Sequence, residues 1–165
     1  MTSALNVVPE STDVSTGVRD TEAMAQGLEN MLADTYRLIF KTHAVHWNVE
    51  GPMFFAVHNL TEEQYQDLFE AADEIAERIR SLGQLAPSTL SAIVANSVVQ
   101  DDEKPASAGE MCQSLAADHE RIAHRMHALI RIAGEHGDPV TEDLAVARAT
   151  FHEKAAWMLR SVSKS

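Results

Sequence analysis

Hydrophobic residues recur at steps of three and four along most of this chain, and this spacing predicts amphipathic helices. The first such segment runs from about residue 20 to residue 47 and ends at a turn that contains Gly51 and Pro52. The second begins near Phe54 or Phe55 and continues to Gly83, a residue type suited to the position after a helix. No stretch alternates hydrophobic and polar residues as a strand would, so the first half of the chain is predicted to form a helical hairpin.

The second half of the chain contains a long connection followed by two further helices. After Pro87 the run STLSAIVA predicts a short helix, and the charged run QDDEKPA ends the connection. Ser107 and Glu110 form a capping-box pattern at the start of the third long helix, which Gly137 ends. Asp138, followed by proline, predicts the start of the fourth. Four long helices with one long crossover between the second and third predict an all-α, ferritin-like four-helix bundle.

Length and composition predict one domain with a tail. The chain has 165 residues, and its hydrophobic fraction of 45% is enough for one core. Residues 1–18 contain no Lys or Arg and predict a flexible N-terminal tail, followed by a domain at 19–165. The single cysteine, Cys112, excludes an intrachain disulfide. Without a basic leader or an apolar run of roughly 18 residues, the chain is predicted to be cytoplasmic, with no membrane partner.

The charge balance of the chain indicates a cationic partner. Thirteen Lys and Arg against 25 Asp and Glu give a formal charge of −12. This balance disfavours charge-driven binding to nucleic-acid phosphates and suits a cation such as a metal ion. Eight histidines add possible nitrogen ligands, although solvated His and Glu are also common on acidic helices.

The spacing of these residues decides which kind of metal site is possible. A di-iron site inside one ferritin-like bundle needs Glu-x-x-His on two helices, and no Glu here has a His three residues later. A different set remains, with His46 and His58 flanking the first turn and Asp73 and Glu77 sharing a face of the second helix. His58 and Asp73 are 15 residues apart, about 22 Å along a straight helix. If all four are ligands, the site must lie between two chains, at an antiparallel two-fold contact.

A simpler interpretation of the acidic residues stays open at this point. On spacing alone, a solvated acidic face is the favoured interpretation of Asp73, Glu74 and Glu77. In that case they are expected to pair with Arg78 and Arg80 on the same helix.

Two runs of sequence resemble a known family. KTHAVHWNVEGPMFFAVH (41–58) and DEIAERIRSLG (73–83) resemble the signature of the Dps family of mini-ferritins, the DNA-binding proteins from starved cells. The likeness extends from about residue 20 to the end and includes EKAAWMLRS (153–161). It implies a dodecameric shell of four-helix subunits, an oxidoreductase that oxidises ferrous iron and stores the ferric product against oxidative stress. Hydrogen peroxide is the common oxidant of the family, and the choice between peroxide and dioxygen stays open.

The resemblance also assigns the site. It places the iron ligands of the ferroxidase centre on His46, His58, Asp73 and Glu77, and an aromatic residue beside the iron on Trp47. An oxidisable ring at Trp47 could intercept a radical, and the alternative is a core aromatic at a helix end.

Two other groups of residues on the helices are weaker candidates for metal ligands. His43 lies one turn before the first proposed ligand and is either an outer ligand or a packing histidine. The face of the third helix that carries Glu120, His124 and His127 is either a second metal site or solvated.

The run GDPVTEDL (137–144) resembles the family's acidic iron pores. Asp138 and Asp143 are the candidates there, followed by Glu142, and helix capping is the competing role of Asp138.

DNA binding is predicted to be weak or absent. Members of the family that compact DNA carry a Lys-rich tail, and the tail here has no basic residue. The C-terminal stretch offers Lys154, Arg160 and Lys164. An iron-oxidising storage shell is therefore the leading hypothesis, and a structural, DNA-associating shell with an incidental iron site is the alternative.

Overall fold

The computed structural model of the chain describes residues 4–102, 104 and 106–164. These residues form five α-helices. They are α1 (Thr21–Asn48), α2 (Phe54–Ser81), α3 (Leu90–Asn96), α4 (Ala108–His136) and α5 (Pro139–Val162), preceded by a 3-10 turn at Ala4–Asn6. No strand occurs in these described ranges. The predicted all-α bundle, with a short helix in the long crossover, is confirmed.

The long helices pack as two hairpins around one core. α1 lies against α2 and α4 lies against α5, while contacts between α1 and α4 join the hairpins. Residues on the predicted stripes are fully buried at the centre, where their removal from water supplies most of the packing energy. They include Leu28, Met31, Leu68, Ile75, Leu115, Ile122 and Met126. No helix in the described part of the chain is long and apolar enough to cross a bilayer.

Local capping residues set the helix ends close to their predicted positions. Ser107 and Glu110 form the reciprocal capping box at the start of α4. Gly137 ends that helix in the left-handed conformation, with φ of 70°. α2 ends at Ser81, Leu82 is its C-cap, and Gly83 lies in the position after the cap with φ of 82°, as predicted.

A buried carboxylate fixes the crossover to the bundle. Asp34 of α1 accepts hydrogen bonds from Ser97 Oγ (2.9 Å) and from the backbone N of Val98 (2.7 Å). Arg125 of α4 donates to its other oxygen at 2.9 Å. Burial raises the pKa of Asp34, and these bonds partly oppose that rise. Asp34 therefore joins the crossover after α3, through Ser97 and Val98, to Arg125 of α4.

Two backbone contacts attach the predicted tail to the end of the bundle. The N–H of Thr12 donates to Gly83 O at 2.8 Å, and the N–H of Arg19 donates to His136 O at 2.9 Å. A Cβ at position 83 would lie 2.0 Å from Thr12 O, so only glycine fits this approach. Flexibility of the segment before residue 12 stays a prediction. Residues 1–3 of the predicted tail and residue 165 of the predicted domain lie outside the described residues.

Candidate metal centre

Two histidines meet where α1 turns into α2. The rings of His46 and His58 stack with centroids 3.7 Å apart. Nδ1 of His46 lies 2.9 Å from the backbone oxygen of His58, and Nδ1 of His58 lies 3.0 Å from the backbone oxygen of His46. A carbonyl oxygen can only accept a hydrogen bond, so each Nδ1 must carry the hydrogen. In the neutral imidazole each Nε2 then keeps its lone pair and can bind a metal ion.

Aromatic side chains enclose this histidine pair. Phe54 stacks on His58 at 4.9 Å between ring centroids, and Tyr65 presents its edge to His46 at 5.2 Å. His46 is buried and His58 is half-buried. The two rings are thus held in place by packing and by backbone hydrogen bonds before any ligand arrives.

The two candidate carboxylates lie farther along α2 and are exposed. Asp73 and Glu77 are four residues apart, on one face of the helix. Within the described residues neither side chain has a salt bridge or a hydrogen bond, since Arg78 pairs with Asp138 at 2.6 Å and Arg80 donates to a backbone oxygen. The pairing with Arg78 and Arg80 that the solvated-face interpretation predicted is therefore wrong. Two unpartnered carboxylates on one face are suited to a hard cation.

A single chain does not bring the four residues together. α2 is one continuous helix from Phe54 to Ser81, so His58 and Asp73 are separated by about 22 Å of helical rise. No group of three or more His, Cys, Asp or Glu side chains in the described part of the chain is placed to hold a metal ion. A site that uses all four needs a second chain.

An apolar groove lies on the surface of the α1–α2 hairpin, and His43 lines it. The groove, of about 450 Å³, lies between α1, α2 and α3. Large apolar side chains are exposed in and beside it, and contiguous patches of this kind mark interaction surfaces. They are Tyr36, Phe40, Trp47, Phe69, Leu90 and Val94.

Trp47 and His43 belong to one stack of rings. Trp47 is 61% exposed, so the core-aromatic alternative for it is wrong. His43 stacks nearly parallel on Trp47, with centroids 5.0 Å apart, and contacts Tyr65 at 4.1 Å. Burial, followed by the charge of His46, lowers the pKa of His43. These contacts favour the packing role of His43 over that of an outer ligand.

One acidic residue near the histidine pair was missed in the sequence. Glu62 lies four residues after His58 on α2 and is half-buried, which places it on the same helix face one turn away. Within the described residues its single contact is a long hydrogen bond of 3.5 Å from Gln66. The His-x-x-x-Glu spacing was the signal that could have identified it.

The metal-site alternative for the α4 face that carries Glu120, His124 and His127 is wrong in the described part of a single chain. Glu120 is bonded to Arg160 at 2.5 Å, and His127 Nε2 contacts Glu153 at 2.7 Å. Their side chains thus face partners on α5, and they do not converge with His124 on a common point.

Asp138 has the capping role that competed with its pore assignment. It is fully buried and accepts from the backbone N of Thr141 at 2.9 Å and from Thr141 Oγ1 at 2.5 Å. Burial alone would raise the pKa of Asp138, but the bonds from Arg78 and Thr141 outweigh it and lower the pKa. Both carboxylate oxygens are committed, so the pore assignment of Asp138 is wrong. Asp143 is exposed, Glu142 is half-buried, and neither side chain has a hydrogen-bond partner within the described ranges.

Comparison with known proteins identifies the family. The profile of the family described as Ferritin-like domain matches residues 25–164. DNA protection during starvation protein 2 of Bacillus anthracis is 34% identical over 81% of this chain and 92% of its own length.

Two solved structures have the same fold. The crystal structure of Dps from Staphylococcus aureus has a TM-score of 0.85 and 32% identity, and the match covers 90% of this chain and 99% of that one. Dps from Vibrio cholerae, described as a member of a broad superfamily of ferritin-like diiron-carboxylate proteins, has a TM-score of 0.84 and 28% identity, with 94% and 99% covered. The resemblance seen in the sequence is confirmed, and the chain belongs to the Dps family of ferritin-like proteins.

Proposed function

We propose that this protein is a ferroxidase that oxidises ferrous iron and stores the ferric product inside a closed shell of twelve copies. One observation carries the proposal. A histidine pair with free Nε2 atoms and an unpartnered carboxylate pair lie on the same hairpin, too far apart to meet within one chain. Iron is the substrate and the cargo, and a mixed set of imidazole and carboxylate donors suits it.

A two-fold contact would complete the site. If α2 of one subunit lies antiparallel to α2 of another, His46 and His58 face Asp73 and Glu77 of the partner subunit. The contact is isologous, so it makes two equivalent sites. The exposed apolar groove between α1, α2 and α3 supports this face as the buried one, because so large an apolar surface is costly in water.

The proposed reaction needs an oxidant that accepts two electrons. Each of two ferrous ions gives one electron to hydrogen peroxide, which takes up two protons and becomes two water molecules. No hydroxyl radical leaves such a site, and the carboxylates stabilise the ferric charge without a general base. Dioxygen is the alternative oxidant. The exposed ring of Trp47 is in our proposal the nearby group that intercepts stray radicals.

Mixed shells test the shared site. Subunits with His46→Ala and His58→Ala are co-assembled with subunits that carry Asp73→Ala and Glu77→Ala. Each mixed two-fold contact regains one intact site, so random mixing is expected to restore about a quarter of the wild-type rate of ferrous oxidation. Each variant alone is expected to be inactive.

The controls separate assembly from chemistry. Wild-type shells taken apart and reassembled in the same way report the loss caused by handling. Glu74→Ala removes an exposed carboxylate between the two candidates and is expected to keep wild-type activity. Reassembled mixed shells with no oxidation, beside active wild-type controls, would rule out the shared arrangement.

We also propose that iron is admitted through acidic pores near the start of α5. Asp143 is exposed and without a partner among the described residues, and a formal charge of −12 on each chain attracts cations. Asp143→Asn is expected to slow iron uptake at low salt without changing assembly. Equal uptake rates for the variant and the wild type would place the pore elsewhere.

Duplex DNA is not expected to be a partner at physiological salt. Arg160, one of three basic residues near the C-terminus, is already bonded to Glu120 at 2.5 Å. The negative charge of every subunit opposes binding to a polyanion. Retardation of plasmid DNA at about 0.15 M salt, with a chelator present to remove bridging cations, would favour the alternative of a DNA-associating shell.

A further inference from the structure

A second histidine pair lies in the middle of the bundle, away from the candidate metal centre. His119 of α4 and His152 of α5 are fully buried, with 0% and 1% of their surface exposed. Their Nδ1 atoms are 2.9 Å apart, which is a hydrogen-bond distance. One ring must donate and the other must accept, so at least one imidazole must be neutral, and protonation of both rings would set two donors against each other. It joins the two helices of the second hairpin.

Two carboxylates near the pair are already paired with cationic side chains. Arg148 of α5 lies over the ring of Phe151, 4.3 Å from its centroid, and is bonded to Asp67 of α2 at 2.7 Å. Asp118 of α4 is paired with Lys41 of α1 at 2.8 Å and with Arg121. Glu63 of α2 and Lys154 of α5 line the cleft on the outer side of Phe151.

Protonation of this pair would leave charge in an apolar, cationic environment. Burial, followed by the charge of Arg148, lowers the pKa of His119 to about 3. Burial, followed by the charges of His119 and Arg148, lowers the pKa of His152 well below its ordinary value. Within the described chain His119 Nε2 has no hydrogen-bond partner that could share an added charge.

We propose that the His119–His152 pair is an acid-sensitive lock, which holds α4 against α5 while both rings are neutral and releases the hairpin when they are protonated. Both rings are buried within a single chain, so the test of the lock does not depend on the proposed activity.

The direction of the effect follows from proton linkage. In the unfolded chain each histidine takes up a proton near pH 6.5, while in the folded chain both remain neutral far below that value. The stabilisation is therefore fully present above pH 6.5 and is lost as the pH falls. Each proton taken up on unfolding multiplies the unfolding constant by about ten per pH unit, so the pair gives up to about a hundredfold per unit.

Urea unfolding of the full-length protein at pH 7.5, 6.0 and 5.0 tests the lock. The wild-type midpoint is expected to fall across this range, before most carboxylates titrate. In a variant with His119→Gln and His152→Gln the amides keep hydrogen-bonding groups but do not titrate, and most of this fall is expected to disappear. His124→Gln, on the exposed face of α4, is the matched control and is expected to behave as the wild type. An equal fall in the double variant and the wild type would overturn the proposal.

A second measurement decides the matter if the double variant does not fold. Exchange of the ring C2 hydrogens, followed by mass spectrometry against pH, reports the protonation of each histidine in the assembled wild-type protein. His119 and His152 are expected to exchange slowly, with no inflection near pH 6.5, whereas the same two rings in protein unfolded with urea are expected to show one there. An inflection near pH 6.5 at either buried ring, in shells that stay folded, would equally overturn the lock.

Discussion

The two histidine pairs of this bundle use the same side chain in opposite ways. In the pair formed by His46 and His58 each Nδ1 donates to a backbone oxygen, and the other ring nitrogen is left for a ligand. In the pair formed by His119 and His152 the two Nδ1 atoms meet each other in the core. The partner of Nδ1 therefore separates the proposed ligand pair from the packing pair, because a carbonyl fixes the tautomer whereas a second imidazole shares one hydrogen.

Loss of a ring from the ligand pair is expected to give the largest effect. His58→Ala should slow ferrous oxidation by at least about 100-fold, since even outer partners of metal ligands are worth about 10–100-fold. The loss of stability should be small, because His58 is half-buried and its Nδ1 makes one hydrogen bond. Stopped-flow absorbance of ferric product and urea unfolding provide the two measurements. Near-normal oxidation would remove this residue from the site.

Loss of a ring from the pair formed by His119 and His152 is expected to lower stability and to leave ferrous oxidation unchanged. His152→Ala should lower the free energy of unfolding by about 2–4 kcal/mol at pH 7.5, because it opens a cavity and leaves the other imidazole unpaired. Ferrous oxidation per folded shell should stay at the wild-type rate. A fall in oxidation with unchanged stability would contradict the packing role of His152.

The same contrast between buried and exposed groups extends to two carboxylates. Asp138→Ala should cost about 1–3 kcal/mol, because it removes the cap of α5 and leaves Arg78 without its partner. Asp143→Ala should stay within about 0.5 kcal/mol of the wild type. The pKa of Asp138 is lowered from 3.8, so its contribution is present above that pH and is lost below it. Urea unfolding at pH 7 and near pH 3 checks both, and equal costs at the two pH values would contradict the assignment.

The smallest effect is expected at His43. His43→Phe keeps a ring between Trp47 and Tyr65, so oxidation should change by less than about twofold and stability by less than about 1.5 kcal/mol. A tenfold loss of oxidation in a stable protein would instead assign this side chain to the iron site as an outer ligand.

Local chemistry explains how much of the fold was predicted from the sequence. The capping box at Ser107 and the Asp138–Pro139 start of α5 each lie within four residues of the helix that they begin. The separation of His58 from Asp73 follows from helical rise alone. These features need no knowledge of distant neighbours.

The features that were missed depend on contacts between distant parts of the chain. Asp34 bonds with Ser97 and Arg125, and Arg78 pairs with Asp138 across 60 residues, so no local pattern shows either contact. The pairing of His119 with His152 likewise needs the register of α4 against α5. Periodicity marks the positions that face the core, but it does not show which polar side chains meet there.

The reciprocal hydrogen bonds at the turn between α1 and α2 order the two histidine rings even when iron is absent. Each imidazole is oriented by the main chain of the other, so the entropy of ordering both rings is lost during folding and not during binding. A chain synthesised when iron is absent would still fold with this corner complete. In the proposed reaction, binding of a ferrous ion would then require no rearrangement of the two rings, and release of the ferric ion would leave them in the same orientation.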